Sequence, residues 1–244
     1  QSSRAMEASK AEEPIAGTDH VFYCFDVMAA HFGRAPEPTP AFRTNFACPL
    51  FVTWKKGRGD GSRDLRGCIG CLRPLPITSL RDYALTSALR DQRFCPMEER
   101  EMQQVCCTVS LLTHFEPAPH HLAWEVGVHG VMIDFCDPDG VARSAVYLPE
   151  IAAEQGWTKQ QTVDSLIRKA GYCRAIDDTI RASLRTTRYR STTATATYQH
   201  WARARQLMHD LSTQERVVTE LQAGQHAHGP RRNEPHSHVL QPRQ

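Results

Sequence analysis

The chain has 244 residues, of which 41% are hydrophobic and 23% charged, a composition typical of globular proteins. No apolar run approaches the roughly 20 residues of a membrane-spanning helix, so we expect no membrane-embedded segment. The formal net charge is only +2, which excludes a global field that would draw the protein to nucleic acid. Any nucleic-acid site would therefore depend on a local basic patch.

The two ends of the sequence differ from its middle. Residues 1–17 are small, polar and charged without periodicity, which predicts a disordered N-terminal arm. Residues 212–244 predict a disordered tail rich in proline and histidine (His226, His228, His236 and His238). The folded domain is therefore predicted over residues 18–211.

The first half of this domain predicts a helix, two strands and a second helix. Thr18 is predicted to cap a helix whose apolar residues recur every three or four positions and which ends at Gly33. The segments LFVTWKK and LRGCIGC predict two strands joined by the turn GRGDGS. Residues 78–91 predict an amphipathic helix.

The second half predicts more strands than helices. The alternating segment VCCTVSLLTHF predicts a strand, and VMIDF-CDPDG-VARSAVYL predicts a hairpin. Pro149 and Thr158 begin two short helices that end at Gly156 and Gly171, and the β-branched segment RYRSTTATATY predicts a further strand before a helix at 199–210. Hairpins mixed with helices indicate an α+β fold with mainly antiparallel sheets and flanking helices.

The nine cysteines are odd in number, and several lie in apolar runs, where free Cys behaves as a small hydrophobe. This pattern favours a reducing compartment over a disulfide framework, so we predict an intracellular protein. Neither dinucleotide-binding glycines nor a phosphate-binding loop occurs, and we predict no cofactor. No signal-peptide pattern is present, and whether a targeting segment precedes Gln1 stays open.

The segment DLRGCIGCLR, residues 64–73, allows four interpretations. Cys68 and Cys71 form one half of a zinc site, but no second half follows at zinc-finger spacing, so we predict no metal. A redox CxxC normally begins a helix, whereas this segment alternates as a strand does.

A nucleophilic Cys68 and a closely packed strand are the two remaining interpretations. Gly67 and Gly70 would admit a ligand, and Arg66 would share a strand face with Cys68 and favour its thiolate. The same glycines would equally admit a neighbouring backbone around a small buried residue, and we favour this packing interpretation.

Several segments together resemble one known family. They are PLFVTWKKG, DLRGCIG, SLRDYALTSALRDQRF, VSLLTHFE, WEVGVHGVMIDF, AVYLPEIAAEQGW, TVDSLIRKAGY and TTRYRSTTATATY, in family order over about residues 20–200. The chain therefore resembles the AMMECR1 family, in its eukaryotic-type branch, with LRGCIG as the hallmark motif. Cys71 stands where the family usually has Thr, which further weakens the zinc and redox interpretations.

The resemblance implies an α+β domain of two subdomains around a cleft, with no established activity and no cofactor. It implies that the motif faces this cleft, so the predicted binding residues are Leu65, Arg66, Gly67, Cys68, Ile69 and Gly70. A relative is associated with the nucleus, so a cytoplasmic location, a nuclear one or both are expected.

Two further groups are candidates. His129 and Glu125 would serve Cys68 as base and orienting group if they faced the cleft, although we favour a His129 that caps a turn. Arg181, Arg185 and Arg188 would share one helix face if the helix extended that far, and could contact phosphate, although a solvated, partly ion-paired face is the favoured interpretation.

Three functions follow from these observations. The first is a regulatory or protein-interaction domain whose cleft takes a protein or peptide. The second is an enzyme for a bulky substrate, with Cys68 as nucleophile or substrate-binding thiol. The third is a nucleic-acid-associated factor. It is disfavoured because the arginine-rich segment contains few aromatic residues. The oligomeric state is not predicted.

Overall fold

The computed structural model describes residues 13–226, with side chains described as far as residue 216. Most of the predicted arm, residues 1–12, and the end of the predicted tail, residues 227–244, lie outside the described residues. The chain divides into two compact units at residue 199/200, the first of which contains the whole sheet. Helix α6 (Tyr198–His226) continues past residue 211, where we predicted the tail to begin, and the domain boundaries stay predictions.

The predicted elements occur in the predicted order, and a short helix over Asp178–Ser183 is present in addition to them. The other helices are α1 (Thr18–His31), α2 (Leu80–Leu89), α3 (Pro149–Glu154), α4 (Lys159–Lys169) and α5 (Asp178–Ser183). The strands are β1 (Ala47–Gly57), β2 (Arg63–Pro76), β3 (Val105–Pro117), β4 (Gly130–Cys136), β5 (Ala142–Tyr147) and β6 (Arg185–Thr197). Among the described residues, no helix is both long enough and apolar enough to cross a membrane.

The six strands form one antiparallel sheet in the order β2-β1-β3-β6-β4-β5, so the α+β prediction is confirmed. The β1-β2 and β4-β5 hairpins are the pairs that the turn sequences predicted. β2 and β5, the first and last strands in this order, are the edges of the sheet.

Two groups of helices cover different parts of the sheet. The helices α1 and α2 pack around Trp54 of β1. Its ring contacts Phe25 of α1 edge-on, and its indole N–H donates to Ser87 Oγ of α2 at 3.0 Å. Beside β4 and β5, α4 contributes Val163 and Leu166 to a second core. One continuous sheet therefore supports both hydrophobic regions.

The helix ends test the capping predictions. Thr158 caps α4 as predicted, and its side chain accepts the Gln161 N–H at 3.2 Å. The predicted cap of α1 is wrong, because Thr18 lies inside the first turn and Gly17 is the N-cap. The imidazole of His20, the third residue of the helix, takes the place of the Glu or Gln of a capping box, since its Nδ1 accepts the Gly17 N–H at 3.1 Å.

Candidate functional site

A bulge in the edge strand decides which motif residues face the same way. Lys55 pairs with Leu65 and Trp54 with Gly67, so Arg66 is an extra residue without a partner on β1. The extra residue reverses the alternation, and Leu65 therefore lines the same cavity as Cys68. The prediction that Arg66 shares the face of Cys68 is wrong for this reason.

Arg66 instead forms a partly buried ion pair. Its Nε and Nη2 donate to the two carboxylate oxygens of Glu101 at 3.0 and 2.9 Å. Glu101 also accepts from Lys56 at 2.9 Å, and Arg66 holds the pKa of this carboxyl down to about 2. Arg66 thus fixes β2 to the 3-10 helix over Glu99–Gln104 and does not line the cavity.

The two motif glycines each allow a close contact. A Cβ on Gly67 would lie 1.9 Å from the backbone oxygen of Ser87, so Gly67 lets α2 approach the strand. A Cβ on Gly70 would lie 2.2 Å from the ring of Phe51, which covers this glycine from the neighbouring strand. These contacts agree with the packing interpretation of the motif.

Asp91 and Arg93 cover the outer edge of β2 at Cys68. The Cys68 N–H donates to Asp91 Oδ2 at 2.9 Å, and Arg93 Nη2 donates to the Cys68 carbonyl at 3.1 Å. The two side chains therefore form the hydrogen bonds that the backbone of a neighbouring strand would form with Cys68. They also form an ion pair at 2.6 Å, through which Arg93 holds the pKa of Asp91 at about 2.

The motif strand lines a cavity of about 440 Å³, here named the Cys68 cavity. β1 and β2 form one side, and the end of β5, the α3 helix and Lys169 form the other. This volume is in the range of sites that bind small molecules or a few side chains. Its apolar lining comes from Phe51, Leu65, Val146, Tyr147, Leu148 and Ile151.

The thiol of Cys68 is half-buried in this wall. It accepts the hydroxyl of Thr53 at 3.1 Å, which favours the thiolate, but burial outweighs this effect and raises the pKa of Cys68. Nucleophilic thiols need a lowered pKa or an adjacent base. The surroundings of Cys68 therefore favour the neutral thiol.

His129 and Glu125 form a turn of their own. The Glu125 N–H donates to His129 Nδ1 at 3.1 Å, and the His129 N–H donates to the Glu125 carbonyl at 3.0 Å. Burial, with Arg188 and Arg190, lowers the pKa of His129. Neither Glu125 nor His129 lines the Cys68 cavity, and their catalytic role stays a prediction.

The CxxC cysteines cannot act together. Cys68 and Cys71 lie in an unbroken register opposite Thr53 and Leu50, so their side chains point to opposite faces of β2. Cys71 interacts with the hydroxyl of Tyr83 on the α2 side. Within residues 13–226, no three His, Cys, Asp or Glu side chains come together as a metal site.

The arginine run does not form one helix face. α5 ends at Ser183, so Arg185 and Arg188 lie on β6, and the conditional helix prediction is wrong. Arg181 pairs with Asp164 at 2.8 Å and Arg188 with Glu116 at 3.0 Å. The ion-paired interpretation therefore describes these two arginines.

Known proteins resemble this chain in sequence and in fold. The sequence model of the AMMECR1 family matches residues 21–194. The chain belongs to the AMMECR1 family. An uncharacterized Arabidopsis thaliana protein is 46% identical over 188 residues, which cover 76% of this chain and 87% of that protein. An uncharacterized Schizosaccharomyces pombe protein of the AMMECR1 type is 38% identical, over 75% of this chain and 94% of its own.

A solved structure resembles this AMMECR1 chain in fold. It is an uncharacterized protein from Pyrococcus horikoshii, with a TM-score of 0.60 and 22% sequence identity. The match covers 72% of this chain and 89% of that chain. At this identity the likeness concerns the fold alone.

Four residues of the AMMECR1 site were not selected from the sequence. Asp91 and Arg93 lie in the segment SLRDYALTSALRDQRF, which carried the resemblance, so a signal was present without a role. Glu150 and Lys169 join the Cys68 cavity from α3 and α4. Glu150 and Lys169 also lie in segments that carried the resemblance, AVYLPEIAAEQGW and TVDSLIRKAGY, but their distance in sequence from the motif gave no reason to place them beside it.

Proposed function

We propose that this protein is an intracellular binding domain whose Cys68 cavity receives an extended segment of a partner protein. The observation that carries the proposal is a cavity with apolar and charged lining residues beside a partly free strand edge. Cys68 and Gly70 occupy equivalent positions opposite Thr53 and Phe51, so both direct their backbone groups away from β1. Asp91 and Arg93 form hydrogen bonds with the outward backbone N–H and carbonyl of Cys68. No partner for the outward backbone groups of Gly70 is found among the described residues.

An extended peptide fits this arrangement. It would pair with the backbone of Gly70, and alternate side chains would then enter the cavity beside Leu65. The nine cysteines are all free thiols, which supports a partner in a reducing compartment, cytoplasmic or nuclear.

A peptide selection tests the proposal. The full chain is immobilised, and it selects from a library of random nonapeptides that are held between flanking residues. We expect peptides whose dissociation constant rises about tenfold in Leu65→Gln, because an apolar contact worth about 1.4 kcal/mol is lost. Val141→Gln is the matched control, since Val141 is also an exposed apolar side chain but does not line the cavity. Equal binding by both variants, or no binding peptide, would show the proposal to be wrong.

A second candidate function is an enzyme that uses Cys68. One observation favours it: Glu150 lines the same cavity, and burial raises the pKa of this carboxyl toward the range of a general acid or base. The raised pKa of the Cys68 thiol opposes it. The reactivity of Cys68, treated in the Discussion, separates the two functions.

A further inference from the structure

Lys169 places a positive charge at the Cys68 cavity. It is the last residue of α4, and its ammonium donates to the Val146 carbonyl at 2.8 Å. The same ammonium lies 4.4 Å from the centre of the Tyr147 ring. Among the described residues, no carboxylate lies within ion-pair distance of Lys169, so this charge has only a carbonyl and an aromatic ring as partners.

Two of the other three cations that line the cavity are paired with carboxylates, whereas the exposed Arg63 has no carboxylate partner among the described residues. Lys55 pairs with Glu154 at 3.3 Å, and Arg93 pairs with Asp91 at 2.6 Å. Desolvation lowers the pKa of Lys169, and the positive charge of Arg93 lowers it further. An anion beside Lys169 would stabilise the charged ammonium and oppose the repulsion from Arg93.

We infer that the partner segment carries a carboxylate that binds the Lys169 ammonium, while its apolar neighbours contact the cavity wall. This inference rests on the proposed function and names the chemistry of the segment. Ammonium–carboxylate hydrogen bonds are stronger than neutral ones, and partial removal from water strengthens them further. The face of the Tyr147 ring and the Val146 carbonyl together hold the ammonium in place.

A carboxylate is the anionic group that an unmodified protein segment itself carries. The carboxylate can belong to an Asp or Glu side chain or to a chain terminus, since all three offer the same acceptor oxygens.

Two libraries of random nonapeptides test the inference on the full chain. The peptides of one library have a free C-terminus, and those of the other are held between flanking residues. We expect peptides with an acidic residue at one fixed position, or with a required free C-terminus, to be enriched. Synthetic peptides with Asp replaced by Asn, or with an amidated C-terminus, then identify the source of the carboxylate. Each neutral peptide should bind at least tenfold more weakly than its charged parent.

Variants of two lysines in the same helix provide the matched comparison. Lys169→Met should weaken binding of the charged peptide at least tenfold, and Lys169→Arg should restore it to within about threefold because the charge returns. Lys159→Met is the control, since Lys159 also donates to a backbone carbonyl, that of Leu122, but does not line the cavity. It should leave binding within about twofold.

The coupling between the two changes gives the decisive result. If the carboxylate binds Lys169, then Lys169→Met should have no further effect on the neutral peptide. Equal losses for the charged and neutral peptides would overturn the inference. So would cavity-binding peptides without any required carboxylate, although these would leave the proposed function intact. If no peptide depends on Leu65, both the proposed function and the inference are wrong.

Discussion

At the scale of single residues, the motif combines one half-buried thiol with two glycines. At each glycine, atoms of a neighbouring residue occupy the space where a side chain would be. Gly67 has the Ser87 carbonyl where a Cβ would be, and Gly70 has the Phe51 ring. Burial at the same place raises the pKa of Cys68. The motif therefore has a structural reason at each of these three positions, whatever ligand the cavity takes.

The reactivity of Cys68 should reflect this burial. At pH 7 we expect iodoacetamide to alkylate Cys68 more slowly than the exposed Cys95 and Cys173, with an apparent pKa above the roughly 8.5 of a free thiol. Mass spectrometry of the digested protein after timed reaction at several pH values measures each rate. A Cys68 that reacts fastest, with a pKa below that of the exposed thiols, would contradict this expectation and favour the enzyme.

At the scale of elements, the contact between β2 and α2 depends on Gly67. Trp54 on β1 reaches the same helix through its bond to Ser87, so strand and helix are held at a fixed separation. An added methyl group at Gly67 would meet backbone atoms, which cannot rotate away as a flexible side chain can. The helix would have to move from the sheet.

We predict that Gly67→Ala lowers the free energy of unfolding by about 2–3 kcal/mol or more, as overpacked cores do. Gly59→Ala is the control, because a Cβ on Gly59 has no neighbour within 4 Å and its backbone is not in the left-handed region. It should change stability by less than about 1 kcal/mol. Urea denaturation of both variants measures the difference, and equal stability would mean that α2 does not approach β2 as closely as described.

At the scale of the whole molecule, partly buried ion pairs connect the edge strand to the segments that follow it. Glu101 joins Arg66 and Lys56, and Asp91 joins Arg93 and the backbone of Cys68. Their partners hold the pKa of both carboxyls at about 2. These bonds therefore make the position of the motif strand depend on pH at the acidic end.

The sign of this dependence follows from the lowered pKa values. Each carboxyl is stabilising above its unfolded pKa of about 4, and the contribution is lost as the pH falls through the folded value of about 2. We predict a steep fall in the free energy of unfolding between these values, measured by urea denaturation. Glu101→Gln should be less stable at pH 7 and show a shallower fall, and an unchanged slope would contradict the role of Glu101.

The sequence by itself determined the element order, the hairpins, the Thr158 cap and the family, because these depend on local periodicity, turn residues and motif identity. Only the tertiary structure decided that a bulge turns Arg66 away from Cys68 and that the His20 side chain accepts the N-cap N–H of α1. It also brought Glu150 and Lys169 to the motif strand. Such contacts depend on strand register and on the return of distant segments, which no local pattern encodes.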